Sequence, residues 1–143
     1  MLVKFFTAVI IFFLLNPVFA DDGRKMVQLP DMMREHMLSN MRDHLLALEE
    51  ITGYLAKQQY DEAAEIAESR LGMSSLELHG ASHMGKFMPE EMGAIGTNMH
   101  RAASRFALAA KDAEFEGGLN KAFSALSEVM QQCVACHSGY KVH

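Results

Sequence analysis

The C-terminal part of the chain repeats its core-type side chains at a strict helical spacing. From Leu119 onwards the steps between them alternate between four and three residues, which is the period of one face of an α-helix. A cysteine and a histidine occupy two of these positions. The spacing therefore predicts a helix whose core-facing side carries Leu119, Phe123, Leu126, Met130, Cys133, His137 and Tyr140.

Three earlier segments show the same period. Asp31 follows Pro30 and can cap a first helix, and a second helix is expected near Asp61 after a short turn at residues 57–60. A third is expected to begin at Pro89, because proline suits the first helical position and the two acids after it suit the positive end of the helix dipole. The predicted core-facing residues are Met33, Met37, Met41, His44, Leu48, Ile51 and Leu55 in the first helix, Tyr60, Ala64, Ala67, Leu71 and Leu78 in the second, and Met92, Ile95, Met99, Ala102, Phe106 and Ala109 in the third.

Four amphipathic helices predict an all-α fold. An antiparallel four-helix bundle is the simplest arrangement that buries four apolar faces. Helix-forming residues far outnumber β-branched residues, and no repeat or flexible linker divides the chain. Residues 80–88 lack a regular pattern, and we expect them to form a crossover loop.

The first twenty residues have the pattern of a secretory signal peptide. Lys4 precedes an apolar run at residues 5–15, and Val18 and Ala20 stand at the −3 and −1 positions of a cleavage site. The run is shorter than the roughly 20 residues of a membrane-spanning helix, so a retained anchor is the less favoured alternative. We expect residues 1–20 to be removed and residues 21–143 to form one domain in the periplasm, without a membrane span.

The charge balance argues against one class of partner. The chain has 13 basic and 18 acidic residues, a net charge of −5 with neutral histidine. Nucleic acid is not an expected partner, because binding its phosphates needs a basic face and none is visible. Glu62, Glu65 and Glu68 are interpreted as a solvated helix face rather than a catalytic acid–base pair. No enzymatic activity is therefore expected.

The chemistry of the chain is concentrated in residues 133–137, Cys-Val-Ala-Cys-His. The spacing Cys-x-x-Cys-His is the attachment signature of c-type haem. The thiols of Cys133 and Cys136 project from one side of a helix, so both can form thioethers with one porphyrin. The imidazole of His137 can then bind the iron from one face. The motif predicts one covalently bound haem c.

Three other interpretations of the cysteines are weaker. A thioredoxin-like dithiol belongs at a helix N-terminus after a strand, where the dipole lowers the pKa of a thiol, whereas these cysteines come late in a helix. A zinc site would need further ligands, for which His79 and His83 are the candidates; with Met84 these histidines could instead bind copper. A disulfide that closes so small a loop would contribute little stability.

A haem motif at the C-terminal end of four helices resembles the class II c-type cytochromes, the cytochrome c-prime family including its low-spin members. The similarity covers the mature chain and is strongest in Ala122-Phe123 and in residues 133–141, where Tyr140 and Lys141 follow the haem motif. The resemblance implies that Tyr140 and Lys141 lie beside the haem on its proximal side. It also implies one-electron transfer to redox partner proteins, and homodimers are common in the family.

The resemblance further implies that the first helix supplies the residue opposite His137. One alignment makes Met37 the distal ligand of the haem iron, as in low-spin members. Another places Leu38 over the iron and leaves it five-coordinate, which would suit binding of nitric oxide or carbon monoxide. Periodicity favours Met37, because it shares the predicted core-facing stripe. The remaining candidates for the distal ligand are Met41, His44 and His36.

Overall fold

The computed structural model describes residues 22–115 and 117–143. The described chain is mostly helical, which confirms the all-α prediction, and the predicted signal peptide at residues 1–20 lies outside these residues. No helix in the described ranges is long and apolar enough to cross a membrane. The α-helices are α1 (Asp31–Ala56), α2 (Tyr60–Ile66), α3 (Ala81–Met84), α4 (Glu90–Lys111) and α5 (Gly118–Gly139).

Two prolines set the starts of the two long helices α1 and α4. Pro30 and Pro89 each lie just before the helix in an extended conformation. The predicted first helical position of Pro89 is therefore one residue off, and Asp31, which was predicted to cap the first helix, is instead its first residue. The carbonyl oxygen of Pro30 accepts hydrogen bonds from the backbone N–H groups of Met33 and Arg34 at 2.8 and 2.9 Å. The bond from Arg34 is the first regular bond of the helix, and the bond from Met33 gives a partner to an N–H group that otherwise has none within the helix. The proline carbonyl therefore stabilises the first turn of α1.

The second predicted helix is shorter and less regular than its apolar pattern indicates. A π-helical turn at Ala67–Leu71 continues α2, and the chain becomes extended at Gly72 before a 3-10 turn at Met73–Ser75. Leu78, which was predicted on the core-facing side, is 73% exposed. The predicted loop at residues 80–88 contains the short helix α3, which follows Gly80 in a left-handed conformation.

The larger apolar cluster joins α1, α2, its π-helical continuation, α4 and α5. Phe106 of α4 and Ile51 of α1 are fully buried in it. Much of the remaining cluster is alanine, whose small side chain lets neighbouring helices approach closely. The alanines of this cluster are Ala47, Ala63, Ala64, Ala67, Ala102, Ala103, Ala107, Ala110, Ala113 and Ala122.

The buried face of α5 differs from the predicted one. Phe123 and Met130 are half-exposed, whereas Ala122 and Val129 are buried beside Leu126. Ala122, Leu126 and Val129 pack in the larger apolar cluster with Phe106, so the smaller side chains of α5 allow it to lie close to α4. At the start of α5, Gly118 lies so near the carbonyl oxygen of Asp112 that only glycine fits there.

Two short strands were not predicted. β1 (Lys25–Val27) and β2 (Tyr140–Val142) form a parallel pair, with Lys25 opposite Tyr140 and Val27 opposite Val142. Tyr140, which was predicted as the last core-facing residue of the final helix, is instead the first residue of β2. This pairing joins the start of the described chain to its end, which helical periodicity cannot reveal.

Candidate functional site

A cavity of about 720 Å³ lies between α1, residues 76–89, α4 and the C-terminal half of α5. Its volume falls within the range of ordinary small-molecule and cofactor sites. The wall is mostly apolar and includes residues from every one of these segments. The candidate residues on the wall are Met37, Met41, His44, His79, Cys133, Cys136 and His137.

A methionine-rich cluster packs beside this cavity. Its buried members include Met37 of α1, Met84 of α3 and Met92 of α4, with Cys136 and Tyr140 packed against them. Methionine is flexible and polarisable, so it fills irregular space and presents soft thioether sulfur. The cavity therefore has a water-excluding wall that also contains candidate ligands for a soft metal centre.

Helix α5 places the two cysteines of the motif one turn apart. Both side chains are half-buried, both are free thiols, and both line the cavity. Burial raises the pKa of the Cys133 thiol, and burial together with the neighbouring Cys133 raises the pKa of the Cys136 thiol. A redox-active dithiol needs a lowered thiol pKa instead. The environment of this pair thus argues against the thioredoxin-like alternative.

His137 lies in the last turn of α5 and also lines the cavity. The helix ends at Gly139, and the backbone N–H of Tyr140 donates to the carbonyl oxygen of Cys136. The side chain of Arg24 approaches the backbone carbonyl oxygen of His137 at 3.5 Å. His137 itself is exposed, so these contacts fix its backbone and leave the imidazole accessible.

The two proposed alignments of the first helix differ in what they bring to the cavity. Met37 is 8% exposed and lines the cavity, together with Met41 and His44. Leu38 is half-buried and is not part of the wall. The ring of His36, another candidate for the distal ligand, lies against Gly80. A Cβ atom added to Gly80 would be 3.1 Å from Nε2 of His36.

Tyr140 and Lys141 lie beside the motif but outside the cavity wall. The hydroxyl group of Tyr140 donates to Glu91 at 3.2 Å, and its ring packs against the methionine-rich cluster. The ammonium group of Lys141 forms an ion pair with Asp22 at 3.2 Å. Both residues therefore hold neighbouring segments around the end of α5.

His79 and His83 occupy different environments. His83 is exposed, and its Nδ1 atom lies 3.1 Å from the hydroxyl oxygen of Ser82. His79 lines the cavity, with its ring centre 4.7 Å from that of His44 and 5.3 Å from that of His100. With the rings as they lie, no group of three or more His, Cys, Asp or Glu side chains in residues 22–115 and 117–143 is arranged to hold a metal ion.

Sequence reasoning missed His100. It follows the predicted core-facing residue Met99 and is only 7% exposed. Its Nδ1 atom lies 2.7 Å from the carbonyl oxygen of Leu71, so this nitrogen carries the proton and donates. The only available signal was that His100 lies next to the apolar stripe of α4, which does not distinguish a buried histidine from an exposed one.

An ion-pair network lies near these histidines. The guanidinium group of Arg70 contacts the carboxylate of Asp43 and lies 2.7 Å from the carboxylate of Glu50. Arg70 therefore lowers the pKa of Asp43 and keeps this carboxylate ionised. The network fastens the π-helical turn to α1.

A second cavity, of about 840 Å³, lies between α2 and α4. Its wall includes the charged residues Asp61, Glu65, Glu68 and Lys111. None of the residues singled out for haem or metal binding is part of it, and Glu68 accepts hydrogen bonds from the backbone and side chain of Ser74. We therefore assign the candidate site to the apolar cavity.

No protein-family model matches the chain, and no curated protein or solved structure shows significant similarity to it. The resemblance of residues 133–141 to the class II cytochromes thus has no support from these comparisons. The residues that line the apolar cavity are therefore the evidence that bears on function.

Proposed function

We propose that this protein is an exported monohaem cytochrome of the class II c-type, which carries single electrons through a haem c bound in the apolar cavity. The observation that carries the proposal is that Cys133, Cys136 and His137 line one cavity together with Met37. In the same proposal α1, α2 with its π-helical continuation, α4 and α5 are the helices of an antiparallel four-helix bundle.

The residues present fit a c-type haem. Two thiols one helical turn apart face a cavity of about 720 Å³, next to an imidazole that can bind iron. The thioether of Met37, buried in the methionine-rich cluster, lines the same cavity. Apolar side chains cover most of the remaining wall, as a porphyrin ring requires.

Each residue would have a distinct role toward the haem. Cys133 and Cys136 would tether it through thioethers, and His137 would bind the iron on the proximal side. When bound, the haem supplies a one-electron couple between ferric and ferrous iron. Met37 would act as the distal ligand, since a soft thioether favours ferrous iron and raises the reduction potential.

The wall of the cavity supports electron transfer in a second way. The methionine-rich cluster presents apolar side chains beside the cavity, and apolar surroundings disfavour the additional charge of ferric iron. The five-coordinate alternative, which would bind nitric oxide or carbon monoxide, requires Leu38 over the iron. Because Met37 lines the cavity and Leu38 does not, the arrangement of α1 supports the electron-transfer proposal.

Visible absorption spectra test the proposed function. The protein is exported with haem-maturation machinery, and the oxidised and reduced forms are recorded before and after addition of carbon monoxide. A low-spin spectrum that carbon monoxide does not change is the expected result. A high-spin spectrum that shifts on addition would contradict electron transfer through a six-coordinate iron and would favour gas binding.

A further inference from the structure

Three histidine rings from three different segments meet on the wall of the cavity. His44 comes from α1, His79 from the turn before α3, and His100 from α4. Their ring centres are 4.7, 5.3 and 6.3 Å apart. None of the three histidines belongs to the haem motif at residues 133–137, and all three line the same cavity as that motif.

The Nδ1 atoms of His79 and His100 lie 3.5 and 3.4 Å from the hydroxyl oxygen of Ser75. Nδ1 of His100 donates to the carbonyl oxygen of Leu71, so in the neutral ring Nε2 is the nitrogen that carries the lone pair. A hydrogen bond from the second ring nitrogen to a backbone carbonyl is the usual support of a metal-binding histidine. In the part of the chain that the structure describes, Nε2 of His44 is buried and has no hydrogen-bond partner. An unpartnered polar atom at such a place is costly, and a bound ion would satisfy it.

The spacing of the rings suits a tetrahedral metal ion. With Zn–N distances of about 2.1 Å and tetrahedral angles, the ring centres of three histidine ligands lie about 5 Å apart. The observed separations of 4.7 to 6.3 Å bracket this value. Rotation of the His44 and His79 rings about their Cβ–Cγ bonds turns the nitrogens while leaving each ring centre nearly in place. These two ligands can therefore converge with little backbone movement while His100 keeps its hydrogen bond to Leu71.

The electrostatic surroundings also suit a cation. Asp43 and Glu50 share the single positive charge of Arg70, which leaves this network with one net negative charge. Asp43 lies near enough to act on the pKa of both His44 and His79.

We propose that His44, His79 and His100 bind a late first-row transition-metal ion of the Zn²⁺ type through three neutral imidazole nitrogens. The ligand set selects this class, because imidazole suits zinc and copper, whereas Ca²⁺ and Mg²⁺ prefer oxygen. Three imidazoles leave one position of a tetrahedral ion for a further ligand, and all three side chains line the cavity. The proposal does not depend on haem being bound.

Zinc binding by the exported, chelator-treated protein tests this proposal. Equilibrium dialysis against Zn²⁺, followed by elemental analysis per polypeptide, should give one tightly bound ion that excess Ca²⁺ does not displace. X-ray absorption at the zinc edge should show three imidazole nitrogens at about 2.0–2.1 Å. No stoichiometric Zn²⁺, or a coordination shell without imidazole, would overturn the proposal whether or not the protein carries haem.

Two ligand variants and one control make the test specific. His44→Gln and His79→Gln should each weaken Zn²⁺ binding by more than about tenfold. A loss of about tenfold is the smallest expected when only a hydrogen-bond partner of a metal ligand is removed, and a ligand itself should matter more. His79 lies in a turn, so its variant should keep the native circular dichroism spectrum even if His44→Gln perturbs α1. His83→Gln, at an exposed histidine four residues away, should bind Zn²⁺ like the unmodified protein. Unchanged binding in both ligand variants, or loss in His83→Gln, would overturn the assignment.

Discussion

Tyr140 lies opposite Lys25 in the parallel pair of strands, three residues after the histidine of the haem motif. Through this pairing, residues near the start of the described chain hold the segment that leaves α5. Val27 of β1 is 4% exposed and belongs to the methionine-rich cluster beside the cavity. The strand pair therefore connects the packing of the N-terminal segment with the stability of the candidate site.

Val27→Ala is expected to lower the free energy of unfolding by about 2 kcal/mol, since two buried methyl-sized groups are lost. Met26→Ala is the matched control, because Met26 is the adjacent strand residue and is 44% exposed. It should cost about 0.5 kcal/mol or less. Urea denaturation of both variants measures these values, and equal effects would show that β1 does not pack as described.

Phe106→Ala tests the larger apolar cluster. Phe106 is fully buried, so its truncation should lower the free energy of unfolding by about 3–5 kcal/mol. Phe123→Ala removes the same side chain at a position that is 50% exposed and should cost about 1 kcal/mol or less. Thermal or urea unfolding compares the two. A larger loss of stability in Phe123→Ala than in Phe106→Ala would mean that Phe123 is buried, as the spacing of α5 predicted.

Much of the helical fold could be predicted because local patterns determine it. The starts of α1 and α4 follow from proline and acidic residues, and the buried positions of α4, such as Met99 and Phe106, follow from their spacing. The face of α5 could not be predicted in the same way. Its orientation depends on packing against the other helices, where Ala122 and Val129 are buried, and a stripe of large side chains gives no weight to such small residues.

The candidate site was predictable only in part, for a similar reason. The haem motif and the stripe of α1 indicated Cys133, Cys136, His137 and Met37, and all four line the cavity. The ring contacts of His79 with His44 and His100 could not be inferred from the sequence. These residues are 35 and 21 positions away along the chain, and no local pattern connects them. The pairing of β1 with β2 is likewise a contact between distant segments.

Met37→Ala should convert the low-spin iron of the haem-loaded protein to a high-spin form that binds carbon monoxide, because the distal thioether is removed. Leu38→Ala is the adjacent control outside the cavity wall and should leave the spin state unchanged. Met41→Ala, on the wall one turn further along, should also leave the spin state unchanged. Visible and electron paramagnetic resonance spectra check all three. A spin change in Met41→Ala alone would identify Met41 as the distal ligand.

The stability of the protein should depend on pH through His44. Burial lowers its pKa in the folded protein to about 4, whereas an unfolded chain binds the proton near pH 6.5. Between these values the unfolded state holds more protons, so the free energy of unfolding should fall as the pH falls, by up to about 1.4 kcal/mol per pH unit. The charge of Asp43 raises the pKa of His44 and so weakens this pH dependence. It is strengthened by His79, His100 and Arg70, which lower that pKa.

Urea denaturation between pH 7 and pH 4, with a chelator present, measures this dependence. His44→Gln should reduce the slope, because the variant lacks the group that binds the proton on unfolding. His83→Gln, at an exposed position, should keep it. An unchanged slope in His44→Gln would mean that His44 does not have the described environment.

Covalent attachment of haem through Cys133 and Cys136 is the central claim, and acid–acetone extraction tests it most directly. The protein is exported with haem-maturation machinery, extracted, and examined by absorption and by intact mass. We predict that the haem stays with the polypeptide, and that the double variant Cys133→Ser, Cys136→Ser releases it. Release of all haem from the unmodified protein, or a polypeptide mass without an attached haem, would contradict the proposed function.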